Sequence, residues 1–450
     1  MIIDHFISKD YELVILSIIA QLLRARLQVI RMKRGFKLMA MLMLCYSMFV
    51  IFGAASDYTL GIYGNANMDD KIDEQDIDFV RDVINGAKSA TNLTDANHDG
   101  KIDDMDVIQI EQIIDGTEKE ITIIDSANRT VTVKLPVESI AICGTEKAVA
   151  IRILGATDRV VGVAESIVTK DYAKKFFPEL QGLPTIGDWE IDYEAVLSLK
   201  PDIIITYSVQ KAEDEKLPGV AVLNFDFYRA RSIFNEMMTL GYVLGSEEQA
   251  QEYTDFCEPI IQDIATRLDS VPSDKRTRVY LEAQGDYVTH TKMGAAGYQI
   301  ELAGGSNMAA DMVGGATGWL EVDPEWVLKE NPDIIVKMAG WNRDNTSAGY
   351  ETDDFNSMEA MRDRILSRTE LAKVKAIENG DVEMLSYDIT YNPDYIISVA
   401  YLAKLFYPEL LLELDPVSIH QEYLNKFHKG LNWDVSKNGT FVYPLISSQA

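Results

Sequence analysis

Cysteine and histidine are both scarce in this chain of 450 residues, which has 3 Cys and 5 His. Cys45 lies in an apolar N-terminal run, so only Cys143 and Cys257 remain in the body, too few for a disulfide framework. Both are expected to be buried small hydrophobes. Four histidines are peripheral: His5 at the N-terminus, His98 in an acidic loop, and His420 and His428 near the end. Only His290 is central, which excludes a zinc or manganese cage of several imidazoles. Positive charge is also short: 42 Lys+Arg against 71 Asp+Glu give a net charge of -29 at pH 7. That charge repels phosphate backbones, and with no basic patch in view it argues against nucleic-acid binding. Beyond the N-terminus, no stretch of about 18 apolar residues is available to span a bilayer. G-x-S-x-G, H-E-x-x-H, Walker and Cys-x-x-Cys motifs are missing as well.

What is present is a chain long enough for two or three folded domains, 47% hydrophobic and 25% charged. The stretch from Met32, "MKRGFKLMAMLMLCYSMFVIFGAAS", has a basic start, an apolar run and a small-residue end, the form of a secretory signal. Met32 is the expected start and residues 1–56 the expected signal region; if residues 1–31 are translated, an uncleaved anchor results. Cys45, flanked by bulky residues, is a poor lipidation site. The expected location is extracytoplasmic, at the cell surface.

Residues 95–106, "DANHDGKIDDMD", place Asp95, Asn97 and Asp99 at positions 1, 3 and 5 of an EF-hand-type loop. Gly100 sits at the sharp turn, the Lys101 carbonyl at position 7 and Asp106 at position 12. A degenerate copy upstream, "NANMDDKIDEQD", offers Asn65, Asn67, Asp69, Lys71 and Asp76, with Asp70 where the turn glycine would be, and is expected to bind calcium more weakly. Each loop runs into an amphipathic pattern, "DIDFVRDVI" and "DVIQIEQII". This tandem over residues 62–116 resembles a dockerin, the small all-α module that docks secreted proteins onto cohesin domains. The resemblance implies calcium as the ordering ion and a cohesin-bearing partner.

After "GTEKE", residues 121–136 read as a hairpin. Strand and helix patterns then alternate: "SIAICG", "TEKAVAIRILG", "VVGVA", "DYEAVLSLKPD", "IIITYS". They imply a parallel sheet covered by helices. A helical stretch breaks at "LGYVLGS" and resumes as "EEQAQEYTDFCEPIIQDIATRL", roughly 33 Å of helix, enough to bridge two domains. The earlier organisation then returns, with "RVYLEAQG", "AAGYQIELAGG" and "DPEWVLKENPDIIVKMAG". The last is a second copy of the unit "DYEAVLSLKPDIIITYS". The expected fold is α/β: two Rossmann-like lobes over residues 121–228 and 277–428, a helical linker over 229–270, and a tail over 429–450.

Residues 125–425 resemble the helix-linked class of periplasmic binding proteins for iron siderophores, haem and cobalamin. The marks are "RTVTVKLP", "LGATDRVVGV", "GLPTIGDWEIDYEAVLSLKPDIII", "LGYVLGSEEQA", "ELAGGSN" and "VDPEWVLKENPDIIV". Ligands of open parallel sheets gather beyond the carboxyl ends of the strands. Strand ends of the first lobe offer Gly144, Thr145, Glu165, Ser166, Asp188, Trp189, Tyr207 and Ser208. The second lobe offers Gln284, Trp319, Trp341, Asn342, Arg343, Tyr387 and Tyr391. Aromatic walls with one or two cations suit a bulky metal chelate or macrocycle. The resemblance further implies surface glutamates, Glu194 and Glu325 at matching repeat positions, that grip permease subunits driven by their ATPase. A receptor without enzymatic activity is the expected function. A dockerin-bearing carbohydrate-active enzyme and a scaffold without a ligand are the alternatives.

Overall fold

The computed structural model describes residues 58–209, 214–340 and 346–445. The signal region therefore lies outside the described residues, as do Trp341, Asn342 and Arg343. Tyr58–Ala450 forms one compact unit.

Two short helices open it, α1 (Glu74–Ile84) and α2 (Asp104–Asp115), each begun by a reciprocal capping box. Asp73 and Asp103 accept from backbone amides of the first turn, while Asp76 and Asp106 reach back to the cap's own N–H. The buried faces Ile77/Val80 and Val107/Ile110/Ile113 join the hydrophobic core that continues into the lobes. "GTEKE" is no free linker: Glu118 is buried, and the next strand begins at Glu120. The hairpin β1 (Glu120–Ile124) and β2 (Thr130–Lys134) is antiparallel. Ile62 bridges to Ile123 of that hairpin.

The first lobe is a four-stranded parallel sheet of β3 (Ile140–Ile142), β4 (Val160–Val163), β5 (Ile203–Thr206) and β6 (Ala221–Asn224), in the order β4-β3-β5-β6. Its helices include α3 (Thr145–Ile153), α4 (Asp171–Phe176) and α5 (Tyr193–Leu199). Ile203, Ile204 and Ile205 are fully buried; each stabilises by about 1.5–3 kcal/mol relative to exposure. Such a continuous apolar run is what a strand covered on both faces requires.

Two helices follow the first lobe, and the longer one packs against helices of both lobes, as a bridging helix should. α6 (Ile233–Leu244) ends at Gly245 with φ 61, and α7 (Glu247–Arg267) returns along it. The 21 residues of α7 span about 32 Å.

The second lobe is a five-stranded sheet in the order β13-β12-β11-β7-β9. Its members are β7 (Arg278–Glu282), β9 (Ser306–Asn307), β11 (Ile334–Ala339), β12 (Val382–Ser386) and β13 (Val442–Tyr443), with β8 (Val288–His290) and β10 (Trp319–Glu321) in a separate hairpin. Residues 429–450 are not a detached tail: β13 pairs antiparallel to β12 and completes the sheet edge. Its helices include α8 (Gly297–Leu302), α9 (Pro324–Glu330), α10 (Asn356–Leu366), α11 (Tyr395–Phe406) and α12 (Pro416–Phe427).

The internal repeat has a physical basis. α5 and α9 stop at Lys200 and Asn331, both left-handed with φ 51 and 48, each followed by Pro and Asp. Those aspartates then cap the neighbouring strand: Asp202 accepts from Ser139 N at 2.8 Å, and Asp333 from Arg278 N at 2.9 Å.

Candidate functional site: an aromatic seam between two lobes

The carboxyl ends of β3, β5 and β6 face those of β7 and β12 across one seam. Gly144, with φ 102, turns the chain from β3 into α3. A Cβ there would overlap the Tyr207 hydroxyl and the Glu146 carboxylate, so the close approach of β5 requires glycine. Tyr207 lies tilted against Trp189 at 5.3 Å and Tyr228 at 6.2 Å; Tyr228 stacks with Tyr391 of the other lobe at 6.0 Å, and Tyr391 stacks on Tyr387 at 4.3 Å. Five rings thus form a ladder from one lobe to the other. His290 and Trp319 lie parallel behind it at 5.8 Å.

The charges are nearly all compensated. Lys147 is fully buried, with Nζ 3.0 Å from the Tyr207 ring centroid and 2.9 Å from Glu146 Oε1. Arg229 pairs with Asp226 at 3.2 Å and donates across the seam to the Ala316 carbonyl at 3.2 Å. Burial raises Asp388 to about 7, against the pull of the Tyr350 N–H that it accepts at 2.9 Å. Burial lowers His290 to about 3, so its ring is neutral at neutral pH. The His290 Nε2 edge meets Tyr391 Oη at 3.0 Å and Gln284 Oε1 at 3.2 Å, and Gln284 also donates to Tyr391. The cavity among Thr145, Tyr172, Tyr387, Asp388 and Tyr391 is about 20 Å³, room for about one water. A macrocycle or chelate is too large for that cavity.

The structure gathers Thr145, Tyr207, Trp319, Tyr387, Tyr391 and Gln284 at this seam. Asp188 is half-buried at its flank and accepts from Ser166 N and Oγ, both at 3.0 Å; burial raises its pKa. Trp189 is 58% exposed beside Tyr207. Ser208 is spent on Asp226, at 2.6 Å. Glu165 is exposed at the start of the short helix after β4 and does not join the cluster. Sequence reasoning missed Glu146, Lys147, Tyr172, Tyr228, Arg229 and Asp388. The run "FDFYRAR" after "VAVLN" carried the signal for two of them, an aromatic and cationic cluster following an apolar strand.

Glu194 and Glu325 are exposed in the first turns of α5 and α9. One turn on, Leu197 and Leu328 are exposed too, at 37% and 39%. Each lobe therefore presents a Glu–Leu pair on the outer side of the repeated helix.

In the acidic loops, Asp95 accepts from Asp99 N at 3.1 Å and Gly100 N at 2.9 Å, Asp99 from Lys101 N at 2.9 Å, and Asn97 from Asp99 N at 3.0 Å. Asp106 accepts from Asn97 N at 3.3 Å and Asp103 N at 2.8 Å, and burial raises its pKa. Among the described residues, no three His, Cys, Asp or Glu side chains form a ready cage by themselves. The set fits calcium only with the Asn97 amide oxygen and Lys101 carbonyl included. The first loop differs: the Asn65 amide donates to the Leu60 and Asp69 carbonyls at 2.8 and 2.7 Å, and Asn67 donates to Asp69 at 2.7 Å. Lys71 pairs with Asp73 at 2.6 Å. Burial raises Asp76 to about 6. Protein hydrogen bonds thus close this loop.

Two parallel-sheet lobes, bridged by a long helix and meeting at an aromatic seam, define a two-lobed ligand-binding protein. The chain belongs to the periplasmic binding protein family, whose pattern matches residues 140–387, more than half of its length. It is 27% identical over 229 residues to the uncharacterised ABC transporter substrate-binding lipoprotein YvrC of Bacillus subtilis, covering 49% of this chain and 69% of that protein. It is 24% identical over 345 residues to the molybdate-binding protein MolA of Haemophilus influenzae, covering 69% and 89%. Its fold is shared with the TroA-like periplasmic binding protein FepB of Veillonella parvula, at a TM-score of 0.58 and 23% identity, covering 71% of this chain and 98% of that one.

Proposed function

We propose that this protein is the extracytoplasmic receptor of an ABC uptake transporter, and that its cargo is a bulky metal chelate or macrocycle such as a ferric siderophore, haem or cobalamin. The observation that carries the reading is the five-ring ladder across both lobes. Rings supply flat apolar area and hydroxyls to a large ligand. A bare dianion such as molybdate needs free donors and cations, whereas Lys147 and Arg229 are already engaged by Glu146 and Asp226. The family and the named relatives support transport rather than catalysis, and an exported location.

The receptor meets its permease through Glu194 and Glu325, each with its neighbouring exposed leucine, and the ATPase acts behind the permease. Calcium held by Asp95, Asn97, Asp99, the Lys101 carbonyl and Asp106 orders residues 62–116 as a dockerin-like module for a cohesin-bearing partner. The first loop, with Asn65, Asn67, Asp69, Lys71 and Asp76, takes calcium more weakly. Calcium supplies a fixed divalent charge there; the chain's carboxylates and amides hold the loop's path.

The test is the melting temperature of the protein in calcium against ferric siderophores, haem, cobalamins, molybdate and free metal ions. A ligand at a hundred times its Kd adds about 2.7 kcal/mol of stability. A shift confined to chelates or macrocycles is expected; a shift with molybdate alone replaces the cargo class, and no shift with any member removes the receptor reading.

A further inference from the structure

A second cavity lies behind Phe176, which it shares with the seam cavity. It has a volume of about 500 Å³ and sits where the first lobe, α7 and the end of α12 meet. That is within the size range of small-molecule sites. Its walls gather four cations: Arg152 and Lys175 from the first lobe, Lys426 and Lys429 from the second. Two carboxylates, Glu179 and Glu252, oppose them. The local balance is four minus two, a net of +2, on a chain of net charge -29.

The cations divide into two kinds. Arg152 and Lys426 are fixed: Arg152 pairs with Glu179, stacks its guanidinium 4.6 Å from the Phe177 ring centroid and faces His428 Nδ1 at 3.4 Å, while Lys426 pairs with Glu252 at 2.7 Å. Those two pairs consume both carboxylates. Lys175 and Lys429 are exposed on the cavity walls and form no salt bridge among the described residues, although Lys429 also helps to hold the Glu252 carboxyl low. Phe176 and Phe427 supply an apolar side to the same cavity. Phe176 also borders the seam cavity, whereas none of the four cations or two carboxylates does.

We propose that this cavity is a second binding site, for a small phosphate-type anion, and that the anion bridges the two lobes. Two exposed ammonium groups lining one cavity, one from each lobe, beside a guanidinium held by Glu179, match the multiple oxygens of a phosphate monoester. The flanking rings accommodate an organic substituent. Because the donors come from both lobes, occupancy favours this arrangement of the two lobes and couples to cargo binding at the seam by mutual preference for one conformation.

Isothermal titration of the protein with phenyl phosphate and with inorganic phosphate, at ionic strength held constant with sodium chloride, tests the site. Lys175→Gln/Lys429→Gln is compared with the parent and with Lys174→Gln, which removes a neighbouring lysine paired to Asp171. Saturable binding weakened at least tenfold in the double variant, but not in Lys174→Gln, is the expected result. Co-sedimentation with phosphatidylglycerol vesicles identifies the source: binding to vesicles alone, lost in the double variant, assigns the phosphate to a lipid headgroup. No saturable binding to either probe or to the vesicles, or equal binding by parent and double variant, overturns the proposal. Circular dichroism melts of the variants separate loss of binding from loss of folding.

Discussion

Replacing Glu282 with glutamine removes the one negative charge that two buried cations share. Its carboxylate is fully buried and takes Arg368 in a two-point contact, at 2.6 and 2.9 Å, with Lys337 Nζ at 3.6 Å. It also accepts from Tyr287 N at 3.1 Å, which pins the turn from β7 to β8 that carries Gln284 to the seam. Breaking a buried pair by neutralising one member costs about 3–5 kcal/mol, because an uncompensated charge is left behind. The lower end applies, since Arg368 keeps Asp286 at 2.8 Å and Lys337 keeps the carbonyls of Ala283 and Gly285 at 2.7 and 3.1 Å. About 3 kcal/mol lowers Tm by roughly 6–12 °C for a lobe of roughly 150–250 residues. Adding Arg368→Met to Glu282→Gln should cost less than the two single changes together, by about 1 kcal/mol or more. Urea unfolding followed by circular dichroism reads all three variants. A cost for Glu282→Gln below about 1 kcal/mol, or strict additivity, refutes the reasoning about uncompensated charge.

Calcium removal should unfold α1 and α2 first: chelation is expected to reduce far-ultraviolet helicity, and Asp106→Ala to reproduce that loss in calcium, whereas unchanged helicity contradicts the loop assignment. Burial lowers His420 to about 3 from an ordinary 6.5, with His428 adding to the effect. The folded state therefore refuses a proton that the unfolded state takes, and stability present above pH 6.5 is lost as pH falls toward 3. At pH 5 the loss is about 2 kcal/mol. The stability gap between the parent and His420→Gln should narrow by that amount from pH 7 to pH 5, and a gap independent of pH contradicts it. Tyr391→Phe leaves Gln284 and His290 without their shared hydroxyl, at a cost of about 1–3 kcal/mol; denaturant unfolding checks this, and a cost below about 0.5 kcal/mol is the contrary outcome.

The repeated unit was legible because its helix stop, proline and capping aspartate recur as a local pattern, "LKPD" and "ENPD". The acidic loops were legible for the same reason: residues two apart fix the turn. The seam was only half legible. Thr145 and Tyr207 follow recognisable strands, but Tyr172 lies within a helical pattern, and Tyr228 meets Tyr391 only after both lobes have folded. The pairing of β8 with β10 joins Val288 to Glu321 across a long excursion, and β13 returns to β12 after α11 and α12. Such contacts depend on register and closure, which periodicity does not encode. The same holds for the acidic loops' attachment to α6: Ile72 N donates to Tyr242 Oη at 3.3 Å and Gly61 N to Asn235 Oδ1 at 3.1 Å, contacts made 170 or more residues apart.

That the seam is where cargo sits is tested most directly by a fluorescence titration of the protein with the cargo class that shifts its melting temperature, using the parent and Tyr228→Ala/Tyr391→Ala. Trp189, at one end of the ladder, and Trp319, behind it, report occupancy. Saturable quenching by the parent, weakened at least tenfold in the double variant with its fold intact, is the predicted result. Equal affinity in the two proteins would contradict the account, because the ladder between the lobes would then have no part in binding.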